Sequence, residues 1–463
     1  MKPLSQYFKR HLTLATGLVA LGIVLWSVPA AAAGFFLPTR GVESTGRAGA
    51  SIAPHQQDLD ALWNNPAGLS LVDDTELTVD LGLIGIQTTH QRAPRQMDDG
   101  STREYDPVHN QAPPNTIPSI FVGGPTGHDD ISWAAGVYTH YTGSDRYPVD
   151  GAQRYVLIDN IGSALGYLHG GVGWQVTDEL ALGAGIQNFM GNFRIVAMGS
   201  GYTGMFGDPE DRDLDMLAEA NISSFFNPTA NVGLTYWLHD NIQTGLSVQL
   251  PHVFRDHDAI LEARIPDHPA YDNAELTDDR VDISVPFPFY VRGGIRYVDD
   301  HFNVEAAIIY QHWSILDEVV IRPHDAEVRG APGVESVPVE PFVVPQGFRN
   351  TISLHLGGAY SLTPDVELRS GFVYERGAVP DEYYNVFALD PDKHQLSIGG
   401  SYDFGTITAD ATAAAIIMPS KQITNSEVRQ HNPSDGGDHS IVVGNGTYDH
   451  FGYIVGLGAR YEF

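Results

Sequence analysis

The feature that most limits what this chain can fold into is a period of two. In the last segment Phe451, Tyr453, Val455, Leu457, Ala459, Tyr461 and Phe463 alternate with Gly452, Ile454, Gly456, Gly458, Arg460 and Glu462. One face is greasy and the other is small or charged. The pattern returns in Ile242, Thr244, Leu246, Val248 and Leu250 against Gln243, Gly245, Ser247 and Gln249. It returns again in Phe302, Val304, Ala306, Ile308 and Tyr310 against Asn303, Glu305 and Gln311, and in Val366, Leu368, Phe372 and Tyr374 against Glu367, Arg369 and Glu375. Successive side chains of a strand point to opposite faces, so each segment reads as a two-faced strand.

Segments of roughly ten residues, apolar on one face and charged on the other, are the pattern of a transmembrane barrel, whose closure satisfies every backbone group in lipid. Periodicity alone leaves open which face is outside. The N-terminus favours the membrane: Lys2, Lys9 and Arg10 precede an apolar run from Leu12 to Val28 and the small residues Pro29 to Ala33. Residues 1–33 therefore read as a secretory signal peptide, cleaved after Ala32 or Ala33. No other apolar run approaches the roughly 20 residues of a spanning helix. With no cysteine, stability must come from burial or from a closed sheet. The net charge of −31 argues against nucleic-acid binding, which wants a basic surface. The acids crowd into Asp208 to Glu219 and Asp256 to Asp282, which read as solvated loops; the functional alternative is a divalent-cation bridge to the external surface. Asp213 to Glu219 also fits a short amphipathic helix.

Short turns (Gly124 to Asp130, Val176 to Glu179, His239 to Asn241, Asp299 to His301, Leu362 to Asp365) alternate with long polar loops near 90–114, 143–152, 196–223, 257–280, 325–347, 377–391 and 419–447. Outer-membrane barrels have short periplasmic turns and long external loops. Trp133, Trp174, Tyr236, Trp237, Tyr297, Phe302, Tyr360, Tyr402 and Phe404 sit beside the short turns, as an interfacial girdle would. From Thr75 to Phe463 this rule counts about fourteen strands. The predicted fold is all-β: a transmembrane antiparallel barrel over 75–463.

Residues 34–74 lack the alternation. They hold the Gly-rich run Gly41 to Ala50 and then Trp63-Asn64-Asn65-Pro66-Ala67-Gly68-Leu69, and Phe35, Phe36, Leu37, Leu62, Trp63 and Leu69 are too apolar for a solvated tail. The expectation is a plug, or hatch, inside the lumen. A plugged lumen does not pass water and ions as a porin does.

These residues resemble the FadL/TodX family of outer-membrane transporters for long-chain fatty acids and aromatic hydrocarbons. The resemblance rests on Gly34-Phe35, on Gly46-Arg47-Ala48, and on Asn65-Pro66-Ala67, which is similar to the family's hatch motif. Ile131-Ser132-Trp133 leading into Tyr138 to Gly143, Tyr310 to Ser314, and Arg369 to Pro391 add to it. The resemblance implies a fourteen-stranded barrel with an N-terminal hatch, a ligand pocket in the lumen, and sideways exit where the third strand kinks. Here that strand would be Ile131 to Gly143, with Gly136, Tyr138, Tyr141 and Gly143 at the opening. One departure stands out: Val196 to Ser223 is shorter than the family's helical capture hairpin, and acidic rather than apolar.

A fatty-acid carboxylate wants one or two cations among apolar walls, because an unpaired buried charge is costly. Arg194, Arg322, Arg349 and Arg376, near the outer strand ends, are the candidates; an uncharged hydrocarbon needs none. The 19 histidines form no HExxH or other ligand spacing, so no metal, cofactor or catalytic residue is expected. Long-chain fatty acids lead over aromatic or alkane hydrocarbons as ligand. The rivals from other classes are a barrel-embedded lipid hydrolase with a Ser nucleophile and His base, and a general porin. The expected partners are a hydrophobic ligand, outer-membrane lipid and lipopolysaccharide, and the barrel-assembly machinery through the C-terminal Phe463, for a monomer in the outer membrane of a Gram-negative bacterium.

Overall fold

The fourteen two-faced segments pair edge to edge and close into one barrel. The structure is a computed structural model that describes residues 39–463 apart from 55, 98, 142, 203, 205, 206, 331–335 and 433–439. The expected signal peptide and Gly34-Phe35 lie outside the described residues. The strands are β1 (Glu76–Arg92), β2 (Asn115–His128), β3 (Ile131–Tyr138), β4 (Ala164–Thr177), β5 (Leu180–Ser200), β6 (Asp215–His239) and β7 (Ile242–Gln249). There follow β8 (Tyr290–Val298), β9 (Phe302–Gln311), β10 (Thr351–Thr363), β11 (Val366–Glu375), β12 (Lys393–Asp403), β13 (Ile407–Ile423) and β14 (Gly446–Glu462). Each is antiparallel to its neighbour, and β14 returns to β1 over the full register from Glu76↔Glu462 to Arg92↔Gly446. The wall reaches further outward through His252–Ala263, Arg280–Phe287, Glu318–Pro323 and Phe342–Pro345.

The two-faced strands have their greasy side out. Ile186, Val232, Leu246, Ile398 and Leu457 are exposed, whereas Asp80, His90, Arg296, Glu305 and Arg369 are buried inside. Trp133, Trp174, Tyr236, Tyr297, Tyr360, Tyr402 and Phe404 are exposed beside the short turns, where an interfacial belt belongs. Exposed apolar strand faces around a charged interior suit lipid outside and protein or water within.

Two sequence expectations are corrected. Asp213 to Glu219 is not a helix: a 3-10 turn, Arg212–Leu214, leads directly into β6. Ladder pairing of β5 with β6 from Ser200↔Asp215 onward satisfies the backbone that a helix would have had to satisfy for itself. The third strand ends at Tyr138, not Gly143. Tyr138, Thr139, His140 and Tyr141 are all buried, so the period of two is lost and the chain turns inward. Pairing of β3 stops at Ser119↔Tyr138 on one side and Tyr138↔Tyr167 on the other. Among the described pairings, Asn115 to Pro118 beyond that level pair with β1 and Ala164 to Gly166 with β5, while Tyr141 stands in an isolated bridge. The wall thus has a break in its ladder.

Residues 39–72 lie within the barrel, built from α1 (Val42–Gly46), α2 (Ala61–Asn64) and a 3-10 turn, Pro66–Leu71. Glycines on the wall make room for their backbone. Gly173, Gly183 and Gly233 stand abreast on β4, β5 and β6, and a side-chain carbon added at any of them would collide with Ser70, Pro66 or Asn65. Gly245, Gly357 and Gly371 likewise face Ile52 and Arg47. Polar anchors complete the fit. The Glu305 carboxylate accepts from the Ile52 and Ala53 amides at 2.7 and 3.3 Å while Arg296 holds it at 2.6 Å. Arg47 donates to Asn303, and Val42 N donates to Asp80 at 3.0 Å.

The glycine belt predicts that Gly183→Val expels this segment and leaves the barrel standing. Valine suits a strand, yet here it meets main chain that cannot rotate away, which exceeds the ~1–3 kcal/mol of ordinary overpacking. Limited proteolysis of residues 39–72 should become fast in Gly183→Val and stay slow in Gly170→Val, where an added carbon has open space. Equal rates would mean that the close approach does not hold the segment.

Candidate functional site

Outward of the inner segment's backbone the lumen is filled by a buried aromatic cluster, the chamber, with Trp63 at its base. Tyr138, Tyr167 and Tyr290 surround that indole with centroids at 5.9, 5.8 and 6.1 Å, and His140 lies on it at 3.6 Å. Tyr141, Phe189, Phe254, Phe287 and Trp313 continue the chamber, with Phe189 and Phe287 4.9 Å apart. The segment between β11 and β12 folds in to roof it, burying Ala378, Val379, Tyr384, Val386 and Leu389. Aromatic and aliphatic walls of this kind favour apolar ligands by burial alone, at about 25 cal/mol per Å².

Polar atoms in the chamber fall into two groups. One is a satisfied chain: Asn231 donates to Leu62 O at 2.8 Å and contacts His169 at 3.1 Å, and His169 meets the Tyr138 hydroxyl at 2.7 Å. The other is a pair of cations with buried N–H groups left unpartnered. Arg292 on β8 has its guanidinium carbon 4.4 Å from the Trp63 centroid, donates to Ser247 at 3.4 Å, and leaves Nη2 buried and unpartnered among the described residues. Arg40 lies 3.8 Å over Tyr138 and 5.9 Å from Trp63; its Nε donates to His140 Nε2 at 3.0 Å, and both Nη atoms are buried and unpartnered. Among the described residues neither makes an ion pair with a carboxylate within 4.0 Å. Burial pulls the Arg40 guanidinium below its ordinary range.

Arg47 of the inner segment likewise makes no ion pair with a carboxylate among the described residues and leaves Nη1 buried and unpartnered, donating instead to Asn303 and Ala50 O; several other buried cations are compensated. Arg369 pairs with Asp410 at 2.7 Å, Arg92 with Glu210 at 2.7 Å, and Lys393 with Glu375 at 2.7 Å and with Asp390. Near Arg40 the acids of the inner segment are pushed the other way: burial raises Asp58 to about 7 and Asp60 well above the carboxylate range.

Asn65, Pro66 and Ala67 come together as an anchor. The Asn65 amide donates to Ile52 O, Leu234 O and Thr235 Oγ1 at 2.8, 3.1 and 3.2 Å, and its oxygen caps the Ala67 amide at 3.2 Å. Pro66 occupies the first position of the 3-10 turn, where its missing N–H costs nothing. Tyr138 and Tyr141 line the chamber, Gly136 packs against Phe121, and Gly143 lies past the strand. The four arginines read from sequence sit elsewhere. Arg194 binds Glu219 at 2.7 Å and Asp159 at 3.2 Å, Arg349 pairs with Glu382 at 3.3 Å, and Arg322 and Arg376 are exposed. Sequence reading missed Arg40, Asp60, Trp63 as floor, and Arg292.

The outer mouth is polar. Buried Glu210 takes Arg92 at 2.7 Å, Arg95 at 2.8 Å, Arg103 at 3.4 Å and the Tyr105 hydroxyl at 2.7 Å. Beside it lies a 630 Å³ cavity lined by Arg103, Asp150, Arg154 and Asp213, which does not suit an apolar ligand. A buried Ser353–His355 contact of 2.8 Å faces inward under the Ala48 carbonyl, away from the lipid wall where a hydrolase would work. Among the described residues no group of three potential ligands could hold a metal.

A closed lipid-facing barrel with chain inside its lumen and a buried aromatic cluster defines the class of outer-membrane barrel that handles apolar molecules. The family described as outer membrane protein transport protein (OMPP1/FadL/TodX) matches residues 23–463, and the chain belongs to it. A Pseudomonas aeruginosa FadL homologue superposes with a TM-score of 0.76 at 17% identity over 93% of this chain and 100% of that one. The P. putida toluene transporter TodX gives 0.64 at 17% over 92% and 99%, and the Ralstonia pickettii toluene transporter TbuX 0.61 at 15% over 92% and 99%. At these identities the likeness is one of fold. A 47 kDa outer membrane protein of Pasteurella multocida is 24% identical over 123 residues, 26% of either chain.

Proposed function

We propose that this protein carries long-chain fatty acids into the outer membrane. The acid binds in the aromatic chamber, the inner segment acts as a hatch that rearranges, and the ligand leaves sideways at the ladder break after Tyr138. Within a family of outer-membrane transport proteins, the observation that favours an acid is the pair of buried guanidiniums, Arg40 and Arg292, with free N–H groups beside an apolar chamber. A buried charge without a partner is costly, and a carboxylate supplies the partner while its chain fills the aromatic space. A neutral hydrocarbon, the cargo named for TodX and TbuX, would leave both charges uncompensated. Sideways exit spares the chain from water, at about 0.8 kcal/mol per CH₂.

The test is competition for the chamber, read by quenching of the buried indole of Trp63, with Trp313 replaced by Phe. A long-chain fatty acid at pH 7.5 should bind at least about tenfold more tightly than the alcohol of equal length, one charge-assisted contact being ~1.5–3 kcal/mol. Toluene should compete weakly. Equal affinity for acid and alcohol would overturn the acid reading.

A further inference from the structure

The apolar outer face of the wall carries a bulge that holds two adjacent phenylalanines out of it. On β6 the register with β5 steps from Phe189↔Asn227 to Gly191↔Ser224, so Phe225 and Phe226 stand against Met190 alone. One extra residue breaks the period of two, and both rings point outward, 69% and 79% exposed. Side chains satisfy the backbone groups around them. Asn188 donates to Phe225 O and accepts from Asn227 N, both at 2.9 Å, Asn227 donates to Phe189 O at 2.9 Å, and Asp256 accepts from Ser223 N at 2.6 Å. Opposite, Gly191 has φ +146°, and a side-chain carbon there would collide with Ala164 O. The bulge is built into both strands.

Composition and register fix its level. From Tyr236 outward to Phe225 the exposed positions of β6 are apolar, and beyond the bulge Ser223, Asn221 and Glu219 are polar. Those eleven steps rise ~36 Å along a strand, or ~28 Å across the membrane at the ~40° tilt of such barrels, against an apolar band of ~25 Å. The pair therefore lies at the outer edge of the band. Along the ladder, Tyr138 pairs with Tyr167, Tyr167 with Phe189 and Phe189 with Asn227. The row on which β3 stops pairing is thus the row from which the bulge starts, two strands, or ~10 Å, from the edge of β4. We propose that Phe225 and Phe226 are a wedge that parts acyl chains of the outer leaflet beside the ladder break, so that a ligand leaving sideways enters lipid already held open. This rests on the sideways exit proposed above. Two rigid rings standing proud of the wall interrupt the packing of chains along it, at the level where a hydrophobic chain comes through.

The chain has no cysteine, so Phe226→Cys and Ser223→Cys each accept a single nitroxide label. In phosphatidylcholine vesicles the label at 226 should collide with oxygen more than with a nickel chelate, and the label at 223 the reverse. A label at 226 open to the chelate would put the pair in water and overturn the wedge. Uptake of radiolabelled oleate is then measured in Gram-negative cells lacking their own long-chain acid uptake, and oleate binding to the purified protein by Trp63 quenching. Phe225→Ser with Phe226→Ser should bind oleate as wild type does and take it up several-fold more slowly. If that pair assembles poorly, Phe226→Ser alone should show the slowing. Phe225→Trp with Phe226→Trp, which keeps two rings in the leaflet, should take up oleate at the wild-type rate. Leu457→Ser, on β14 and 70% exposed, should also leave uptake unchanged. Wild-type uptake by the serine variants, or an equal loss in Leu457→Ser, would sink the wedge and leave sideways exit standing. A wild-type protein that binds oleate but supports no uptake would sink the transport reading beneath it.

Discussion

A barrel lacking Gly34 to Val72 should fold, insert and conduct ions in planar bilayers, where the intact protein conducts almost none. Each wall strand keeps both neighbours without the inner segment, since β1 to β14 close on themselves. What disappears is, among the described residues, the chain that crosses the lumen at the level of the glycine belt. Gly173, Gly183, Gly233, Gly245, Gly357 and Gly371 present no side chains there, so the vacated space stays open and fills with water. Barrels of 16–18 strands leave an aqueous channel, and fourteen with a bare glycine level should raise conductance by at least about an order of magnitude over the intact protein. The deletion also strands Glu305, which loses the Ile52 and Ala53 amides but keeps Arg296 at 2.6 Å, so the exposed acid remains paired. Fold integrity is checked by heat-modifiable mobility. A folded, inserted deletion barrel that conducts no better than the intact protein would move the seal from the inner segment to the ion cluster around Glu210.

Much of this architecture was legible because a barrel wall repeats one rule. Ile242 to Leu250 and Phe451 to Phe463 show alternation so plainly that strand count, apolar face and girdle follow from it. The rule fails where the chain stops obeying it. Ile131 to Tyr138 alternates, but the four buried residues from Tyr138 to Tyr141 belong to no face, and a pattern that assigns faces has nothing to say about an inward turn. The loop at 196–223 was read too long because acids look like solvent, whereas Asp215 and Glu219 sit in a strand and take Arg154 and Arg194 as partners at 2.8 and 2.7 Å. Asn65-Pro66-Ala67 stood out in the sequence; its physics, an amide shared among Ile52, Leu234 and Thr235, needed the wall to be in place.

The cations were missed for a related reason. Four arginines were sought near the outer strand ends, yet what distinguishes Arg292 is its register. On β8, Arg296 stands opposite Glu305 of β9 and is neutralised there. Arg292, four residues earlier on the same inward face, stands opposite Ile309 on one side and Ser247 on the other. An inward arginine whose cross-strand neighbours are both uncharged is, on the proposed fatty-acid reading, the cation that takes an anion from outside the wall. A single sequence shows this only once strand partners are assigned residue by residue. Arg40 carries no such signal, because its neighbours come from the folding of the inner segment.

The sharpest consequence is that Arg292→Met should abolish acid selectivity while leaving hydrophobic binding in place. Methionine keeps a flexible apolar stem against Trp63, 4.4 Å from the present guanidinium, so the floor of the chamber is not emptied. What goes is a desolvated charge and its free Nη2. A charge-assisted contact in such surroundings contributes ~1.5–3 kcal/mol, or about ten- to a hundredfold in affinity for the ionised acid. Binding of the matching alcohol should change by less than about threefold or improve, since removing an uncompensated buried charge lowers the cost of closing the chamber. The effect should be present at pH 7 and shrink below about pH 4.3, where a carboxylic acid carries its own proton and the guanidinium has no anion to hold. Arg292→Lys should recover only part of the preference, because a point charge does not reproduce the planar fork that both stacks on the indole and reaches a carboxylate. If acid and alcohol weaken together in Arg292→Met, the residue shapes the chamber and does not read the head group. If neither weakens, the anion is held by Arg40 alone, and the double variant Arg40→Met with Arg292→Met must then remove the preference that the single one spared.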